Sequence, residues 1–512
     1  MNTLIPLFVI IPLAGAFLIM ITGRFTGGFS KYLTSLILAI LVIFSIYSLF
    51  TTGEKISVYR VGGWEPVNRI PIGIHMVMDG LTVILLCIIN IVGFLAAFYS
   101  ISYIKRYTAE NYFYSLFCLM IGGMNGVVLS GDIFNIFVFL EISAIASYAL
   151  VAFGVEKNEL EASFKYQVLG ALASFLILFG ISLIYWKTKT LNIADIREVF
   201  GTNYDRSYYM FVQILLISGF GLKAAMIPFH AWLPDAHSSA PSPISAMLSG
   251  VFIKAVGIYV IIRLFFNMFF ITEGISVLIT VLGTLSMVIG VFLAIGQWDI
   301  KRLLAYHSIS QMGYVILSTG IGMMLISRGE RPDIAALAIA GGLFHLVNHA
   351  AFKGLLFLNA GAIEYSAGTR DLHQMGGLSG PMPATSATSF IASMSISGIP
   401  PFNGFFSKLI IIIAAISARF YLLAALAVVV SIITLASFLK FQRYAFYNKP
   451  EKEVAQGIKE VPFPMVFSMI IMGVLCILLS LLAFPGIRES ILDPAVNILT
   501  DPLNYSSNVT GI

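Results

Sequence analysis

Charged residues are scarce in this chain: aspartate, glutamate, lysine and arginine together make up 11% of its 512 residues. Soluble domains carry about 25%, and here hydrophobic residues account for 58% instead. This composition excludes an ordinary soluble domain. The net charge of +5 is spread over many loops and forms no basic stripe, so we expect no nucleic-acid partner.

Cysteine is also rare. The three cysteines, Cys87, Cys118 and Cys476, each stand alone in an apolar run. This spacing provides neither a metal-ligand set nor a disulfide pattern, and the chain has no dinucleotide-binding fingerprint. We therefore expect no cofactor and no metal, and we interpret the cysteines as small buried hydrophobic residues.

Long apolar runs, in contrast, recur from end to end. About fourteen of them reach the roughly 20 residues that a membrane core requires, which predicts an all-α polytopic membrane protein. The first run lacks the basic segment and the cleavage site of a signal peptide, so we interpret it as a retained span. The predicted spans are 3–22, 31–50, 75–99, 112–130, 133–153, 164–186, 207–227, 243–266, 275–296, 302–325, 334–364, 384–418 (broken), 420–440 and 463–484.

The order of these spans predicts four segments. Residues 1–111 hold the first three helices, 112–266 and 267–445 form two five-helix repeats, and 446–512 hold a loop, helix 14 and the C-terminal tail. Lysine and arginine are divided almost evenly between the two sides of the membrane, so the positive-inside rule depends on one cluster. That cluster favours a cytoplasmic loop after the thirteenth span and both termini outside: Lys440, Arg443, Lys449, Lys452 and Lys459.

Four lysines lie deep inside the predicted spans: Lys223, Lys254, Lys353 and Lys408. Ionisable groups at membrane depth face a bundle interior or a water-filled cavity and are functional by default. A desolvated lysine can release its proton whereas an arginine cannot, so these lysines favour proton transfer over static pairing. Beyond Lys223, Pro228 removes a backbone donor and its ring crowds the preceding turn. We expect the helix to open there and to line a hydrated ion path.

Glu141 is the acidic residue placed deepest in a span, roughly halfway along the fifth. A buried carboxylate remains ionised when a cation lies nearby, and Lys223 is the expected partner. A static packing pair is the alternative interpretation.

The eleventh span carries three titratable residues at intervals of four: His345, His349 and Lys353. This spacing places them on one helix face, where imidazole and amine groups suit a series of proton-transfer steps. A metal site at the two histidines is an alternative, although the carboxylate of a metalloprotease helix is missing. His307 either joins this series or is a hydrogen-bonded core histidine, and the sequence favours neither.

A second helix break is predicted inside the twelfth span, at Gly398, Pro400 and Pro401, just before Lys408. The run Ile399-Pro400-Pro401-Phe402 is similar to Ile227-Pro228-Phe229 at the first break. Paired broken helices indicate inverted repeats with an ion site at mid-membrane. Chance similarity of two short proline motifs is the alternative.

The loop after the first break contains His230, Asp235 and His237. These residues either line an ion entrance or cap the next helix. Asp79 and Asp132 lie near span ends, where either helix capping or a surface position is the expected role.

With these residues in place, the chain resembles the antiporter-like subunits shared by Mrp-type sodium/proton antiporters, membrane-bound hydrogenases and the membrane arm of NADH:quinone oxidoreductase (complex I). The resemblance extends from about Leu81 to Tyr447. The matching stretches are 131–141, 229–237 with 241–243, 301–306, 344–353 and 398–408.

The resemblance implies a role for each deep charge. Glu141 and Lys223 look like the ion pair of the fifth and seventh helices of that family, and Lys254 resembles its central lysine on the eighth. The remaining residues look like its eleventh-helix relay and its twelfth-helix exit lysine: His345, His349, Lys353 and Lys408.

Placement within the family has two readings. The stretch 131–135 and Trp64-Glu65-Pro66 before Ile72-Gly73-Ile74 look like the D-type chain of Mrp antiporters. The loop 229–237 is closer to hydrogenase-linked and complex I members. A stand-alone antiporter complex and a complex driven by a hydrogenase or another oxidoreductase module both remain open.

These features predict a proton-translocating subunit of a larger complex in a prokaryotic cytoplasmic membrane, without redox chemistry of its own and with sodium exchange left open. The expected partners are antiporter-like and small multispan membrane subunits, with or without a hydrogenase or oxidoreductase module. Two rival classes are a redox subunit that binds quinone or a metal centre, and a secondary solute transporter. The missing cysteine ligand set argues against the first rival. Titratable lysines and histidines, rather than a varied polar pocket, argue against the second.

Overall fold

A computed structural model describes residues 2–25, 28–64, 73–202, 205–449 and 457–511. In this part of the chain, 11 helices are long and apolar enough to cross a membrane, and shorter apolar helices accompany them. The prediction of an all-α polytopic membrane protein is confirmed. Four residues used in the sequence analysis lie outside the described residues: Glu65, Pro66, Ile72 and Lys452.

The helices of the first half are α1 (Leu7–Thr22), α2 (Ser30–Thr52), α3 (Gly80–Tyr103), α4 (Glu110–Leu129), α5 (Ile133–Val151), α6 (Lys157–Thr188), α7 (Ile193–Thr202), α8 (Arg206–Lys223), α9 (Trp232–Ser239) and α10 (Ser242–Met268). The short helix α7 lies in the polar loop between the sixth and seventh predicted spans. The short helix α9 follows the first break.

The helices of the second half are α11 (Glu273–Ile295), α12 (Ile300–Arg328), α13 (Pro332–Ala367), α14 (Pro383–Ser397), α15 (Asn403–Ser417), α16 (Tyr421–Tyr447), α17 (Phe463–Leu478), α18 (Pro485–Ile491), α19 (Asp493–Thr500) and α20 (Pro502–Thr510). Each predicted span contains one of the helices, and the broken twelfth span contains α14 and α15. The long helix α13 begins at Pro332, which suits a first turn. It ends before Gly368, whose φ of +71° terminates the helix.

The third span begins later than predicted. Residues His75–Met78 form a strand, β2, which pairs antiparallel with β1 (Ser57–Arg60). Asp79 then caps α3 by accepting a hydrogen bond from the backbone nitrogen of Thr82 at 2.9 Å. Hydropathy alone does not distinguish a short apolar strand from the first turn of an apolar helix, so the prediction assigned 75–78 to the helix.

The helices divide into an interior and a peripheral group. The most apolar window of α10 is 100% buried, and those of α12 and α13 are 94% and 89% buried, whereas α2, α6 and α16 reach only 33%. Large apolar side chains such as Phe50, Trp186 and Leu422 are exposed on peripheral helices, as expected for surfaces that face lipid. Most of the deep titratable residues lie on the interior helices.

A buried ion pair joins the beginning of α3 to the end of α10. Arg263 Nη1 lies 2.8 Å from Asp79 Oδ2, and both side chains are almost fully buried. The Arg263 guanidinium also lies 5.1 Å from the ring of Tyr505 in α20, and Asn267 donates to the carbonyl of Ile498 in α19. The cap role predicted for Asp79 is confirmed, and the surface alternative is wrong because Asp79 is fully buried. Its pair with Arg263 is not predicted from the sequence, because no local pattern links residues so far apart in the chain.

Candidate functional site

The predicted partners Glu141 and Lys223 are in contact. Lys223 Nζ lies 3.4 Å from Glu141 Oε1. The Lys223 side chain is 2% exposed, whereas Glu141 on α5 is 28% exposed at the surface of the bundle. The sequence places Glu141 deep in its span and predicts a buried carboxylate, whereas the structure shows that this carboxylate is only partly buried, between the interior amine and the outside of the chain.

Two further side chains bind this pair. Tyr148 Oη lies 3.3 Å from Lys223 Nζ, and Ser174 on α6 donates to Glu141 Oε1 at 2.5 Å. Neither residue is predicted as part of the site from the sequence. Tyr148 follows Glu141 by seven positions on the same helix face, which is a usable signal. For Ser174 the sequence holds none.

Aromatic contacts continue from the pair towards α9. The rings of Tyr148 and Tyr166 meet at 4.5 Å and 89°, and Tyr166 stacks on Trp232 at 4.3 Å and 7°. The indole nitrogen of Trp232 donates to the carbonyl of Leu222, at the end of α8, at 2.9 Å. Tyr148, which binds Lys223, is therefore connected through the rings of Tyr166 and Trp232 to α9, the helix that follows the break.

The first break lies where the sequence places it. Helix α8 ends at Lys223, Ala225 has a φ of +53°, and the bond between Ile227 and Pro228 is cis. The backbone nitrogen of Ile227 donates to Ser286 Oγ on α11 at 3.0 Å. A side chain thus replaces a lost helical acceptor, as interrupted backbone inside a bundle requires.

Lys254 lies at the centre of the bundle. It is fully buried, and its Nζ donates to the carbonyl of Ser249 at 2.5 Å. The surrounding part of α10 contains π-helical turns at 248–252, 254–258 and 264–268. Such turns are rare and often occur at functional sites. They could not be predicted from the sequence, where the run looks like an ordinary apolar helix.

The three titratable residues of the eleventh span all lie on α13 and are fully buried. His345 Nδ1 lies 3.0 Å from Ser407 Oγ, and its Nε2 lies 3.2 Å from Gln311 Oε1. Lys353 Nζ donates to the carbonyl of Leu304. Among the described residues, neither ring nitrogen of His349 has a hydrogen-bond partner. Because both nitrogens of His345 bond to other side chains, the geometry does not favour a metal between the two histidines.

The sequence leaves two alternatives for His307, a residue of the proton relay or a hydrogen-bonded core histidine. It is fully buried, and its Nε2 lies 2.8 Å from Ser437 Oγ on α16. Its ring packs against Phe438 at 4.8 Å. One nitrogen is therefore satisfied, and Nδ1 has no hydrogen-bond partner among the described residues.

The second break brings Lys408 against the end of α14. Its Nζ lies 2.7 Å from the carbonyl oxygen of Ile396 and 3.3 Å from Ser431 Oγ, and the ring of Tyr314 lies 5.0 Å away. The chain turns here at Gly398, with a φ of +79°, and through a cis bond between Pro400 and Pro401. The turn is tight enough that a Cβ on Gly404 would lie 1.8 Å from the carbonyl oxygen of Ser395.

A charged vestibule of about 1010 Å³ opens on one side of the bundle. Asp235 binds Lys165 at 3.0 Å and Arg302 at 2.8 Å, and Lys301 lies 3.3 Å from Glu364. Partial burial alone would raise the pKa of Asp235, but the hydrogen bonds from Lys165 and Arg302 outweigh it and hold that pKa below its ordinary value. Of these residues, only Asp235 is predicted as a candidate site residue from the sequence.

The two histidines near the first break have different surroundings. His237 is fully buried just below the vestibule, with its ring 5.9 Å from Phe357 of α13, and neither of its nitrogens has a hydrogen-bond partner among the described residues. His230 is half-buried ahead of α9. Neither histidine caps a helix, since α9 and α10 have no side-chain cap bond. The entrance role of both residues remains a prediction.

Two protein-family models match the chain. The model for "NADH:quinone oxidoreductase/Mrp antiporter, TM" matches residues 130–434, and that for "NADH-Ubiquinone oxidoreductase (complex I), chain 5 N-terminus" matches 64–114. The first match covers more than half of the chain and contains all seven residues of the predicted proton path.

Individual relatives match almost the full length. The D-type chain of the Na(+)/H(+) antiporter of Alkalihalophilus pseudofirmus is 34% identical over 507 residues, which are 97% of this chain and 99% of the relative. A chain of the Mrp complex from Dietzia sp. DQ12-45-1b has a TM-score of 0.89 and 26% identity, over 100% of this chain and 99% of that one. A chain of the membrane-bound sulfane sulfur reductase, an archaeal respiratory membrane complex, has a TM-score of 0.86 and 26% identity, over 99% of each chain.

Proposed function

Because this chain belongs to the NADH:quinone oxidoreductase/Mrp antiporter family, we propose that it is a proton-translocating subunit of a multisubunit membrane complex. The observation that carries the proposal is the contact between Lys223 and Glu141 beside a broken helix. Behind this contact lie buried amines and imidazoles bound to carbonyl, hydroxyl and amide groups. Such groups can pass a proton along, because each one gains or loses it according to the charges nearby.

The Glu141–Lys223 contact is the control point of the proposed path. While it is closed, the carboxylate stabilises the protonated amine of Lys223. When it opens, Tyr148 and Ser174 are already in place to bind the separated groups. Lys223 then favours passing its proton on towards the centre of the bundle.

The interior residues carry the charge across. Lys254 accepts it at the centre, and the groups of α13 move it to the second break: His345, His349 and Lys353. Lys408 releases the proton at the far end. His307 lies beside this path on α12, and we assign it a supporting role as a hydrogen-bonding neighbour.

The vestibule is the proposed uptake side. It is lined by the loops after the third, fifth, seventh, ninth and eleventh spans, which must lie on the same side as the basic loop after the thirteenth. The positive-inside rule makes that side the cytoplasm. His237, which lies between the vestibule and the interior amines of Lys254 and Lys353, is the proposed entry for the protons that reload these amines. His230 precedes α9 and is not one of the residues that line the vestibule.

The partners and the location follow from the same reasoning. We propose a place in a prokaryotic cytoplasmic membrane, beside antiporter-like and small multispan subunits. The similarity to the D-type chain of a Na(+)/H(+) antiporter supports sodium exchange, and the similarity to a chain of a respiratory complex supports an oxidoreductase module. Purifying the complex through a tag on this chain and identifying its other subunits distinguishes a sodium antiporter from a complex with an oxidoreductase module. Nickel and iron–sulfur subunits in the complex select the hydrogenase branch, and their absence beside small multispan proteins selects the antiporter branch.

Glu141→Ala is the direct test of the path. The complex containing this variant should assemble, because Glu141 lies at the bundle surface, and it should lose coupled proton transport by at least about 100-fold, the usual contribution of a positioned proton-transfer group. Transport is measured with a pH-sensitive dye in sealed vesicles, and assembly by the yield of the purified complex.

A matched control is Glu273→Ala. Glu273 also pairs with a basic residue, Arg328, at 2.7 Å, but it lies exposed at the start of α11. This variant should transport at the wild-type rate. Normal transport by Glu141→Ala would show that the pair is structural, and the proposed path would be wrong.

A further inference from the structure

The site that holds Lys408 is built from oxygen atoms without a carboxylate. Its ammonium nitrogen lies 2.7 Å from the carbonyl oxygen of Ile396 and 3.3 Å from Ser431 Oγ. Ser431 in turn donates to the carbonyl of Ser397 at 2.9 Å. Two neutral oxygen atoms therefore contact one buried positive charge, and a third, the Ser397 carbonyl oxygen, is joined to them through Ser431. We call this group of oxygen atoms the second-break cage.

The carbonyl groups of the cage are available because α14 stops here. A helix leaves its last carbonyl groups without backbone donors, and its C-terminal end carries a partial negative charge. Gly398 turns the chain away with a φ of +79°, and a Cβ at this position would lie 3.1 Å from Lys408 Cδ. The side chains of Lys408 and Ser431 thus take the place of the missing backbone donors.

The chemistry of the cage suits a small monovalent cation. Carbonyl and hydroxyl oxygens are ligands that hard cations prefer. Broken helices of membrane transporters coordinate such cations with unwound carbonyl groups and with half-helix C-termini. A divalent cation would need acidic ligands to balance its charge, whereas Lys408 forms no ion pair with a carboxylate among the described residues. The cage balances a single positive charge.

We propose that the second-break cage binds a monovalent alkali-metal cation in exchange for the proton of Lys408. The amine gives its proton to the exit side and swings out, and the cation takes the position of the ammonium group beside the oxygens of Ile396, Ser397 and Ser431. One proton leaves and one cation arrives, so the site carries one positive charge in both states. The inference rests on the proposed function, in which Lys408 releases the proton.

Other titratable groups surround the cage and must be separated from Lys408. From α12, Tyr314 presents its ring to Lys408 and its hydroxyl group to Ser431, and His307 is buried on the same helix. From α13, His345 contacts Ser407, which precedes Lys408, and His349 lies one turn further along the helix. Helix α14 contributes no titratable side chain, and α17 contributes only Cys476. A variant at Lys408 leaves all of these groups unchanged.

The experiment measures cation binding and proton release together. The complex, purified through a tag on this chain and held in lipid nanodiscs, is titrated with radioactive sodium ions from pH 6 to pH 10, and choline chloride keeps the ionic strength constant. We expect binding that strengthens with pH, and release of about one proton per sodium ion bound. A parallel titration with potassium ions identifies which alkali cation fits. Absence of binding by both ions, or binding without proton release, would overturn the proposal.

Variants of the cage residues test whether sodium ions bind at the second-break cage. Lys408→Ala should bind sodium at every pH without releasing a proton, and Lys408→Arg should not bind it, because the guanidinium stays protonated. Ser431→Ala should bind about tenfold more weakly, and Thr434→Ala, whose hydroxyl bonds the Val430 carbonyl on the same helix, should bind as the wild type does. Sodium binding by Lys408→Arg equal to that of the wild type would place the ion elsewhere. A wild-type complex that pumps protons but binds no alkali cation would overturn the cage and leave the proposed function intact.

Discussion

The two helix breaks hold a buried lysine amine with different chemistry. At the first break, Lys223 meets the carboxylate of Glu141, which is partly exposed at the bundle surface. At the second, Lys408 meets a carbonyl, a hydroxyl and an aromatic face. A charged partner favours one protonation state strongly and can be moved to change it. Neutral dipoles stabilise a cation without specifying which cation it is.

This difference gives the two ends of the path different tasks. A movable carboxylate suits the control of a proton, because separating the charges changes the affinity of the amine for it. A fixed group of neutral oxygens suits release and exchange. The first break is also connected by aromatic rings to the helix that follows it, and the second is connected to α13 through a pair of asparagines, Asn348 and Asn403.

The largest expected effect comes from arginine at the two lysine positions. Lys223→Arg and Lys408→Arg should each lower proton transport by at least about 100-fold, since arginine keeps its proton. Their assembly should differ. Arginine at 223 finds a carboxylate and should assemble normally, whereas arginine at 408 places five donors beside few acceptors and should lower the yield of the complex. Equal yields would contradict the difference drawn between the breaks.

Removing the lysine charge should change the free energy of unfolding in opposite directions at the two breaks. Removing one partner of a fully buried ion pair costs about 3–5 kcal/mol. Because Glu141 is 28% exposed, we expect Lys223→Met to cost about 2 kcal/mol. Lys408→Met removes a buried charge that no carboxylate compensates and should raise stability by about 1 kcal/mol. The midpoint of unfolding of each purified complex is the measurement, and shifts in the same direction would refute the comparison.

Removing a tyrosine hydroxyl group should lower proton transport more at the first break than at the second. Tyr148→Phe removes the oxygen next to Lys223 but keeps the ring packed on Tyr166, and we expect proton transport to fall about 10-fold for the loss of one hydrogen bond to a charged group. Tyr314→Phe keeps the ring over Lys408 and removes hydroxyl contacts with two neutral groups, the Ala427 carbonyl and Ser431, so the effect should be smaller. Tyr114→Phe, in the buried part of α4, is the control. Transport rates in vesicles decide the order, and a larger effect for Tyr314→Phe would reverse it.

The smallest expected effect is at the vestibule above the first break. The pKa of Asp235 is held below its ordinary value, so its ion pairs with Lys165 and Arg302 are present above the unfolded-state pKa. They are lost only as the pH falls through the folded-state value. We therefore expect Asp235→Asn to slow transport by about twofold, uniformly between pH 5 and pH 8, with a difference that shrinks as salt screens these exposed charges. An effect that appears only near neutral pH would show that another group is responsible.

Much of the fold could be predicted because a long apolar run that crosses a bilayer satisfies its backbone hydrogen bonds by forming a helix. Each predicted span contains a helix, and α8 ends at Lys223, as Pro228 requires. The errors occur where short elements compete: β2 occupies residues assigned to the third span, and α7, α9 and the helices after α17 were not foreseen. The division into two inverted five-helix repeats stays a prediction.

The sequence by itself determined which side chains are titratable, where they lie along the spans and where two helices break, because hydropathy, helical spacing and proline act locally. Only the tertiary structure decided what each amine touches: Tyr148 and Ser174 at the first break, the Ile396 carbonyl and Ser431 at the second. These contacts join residues distant in the chain, and they depend on how helices pack rather than on any local pattern. The proton affinity of a buried amine depends on those neighbours, so the chemistry of the path belongs to the packed bundle.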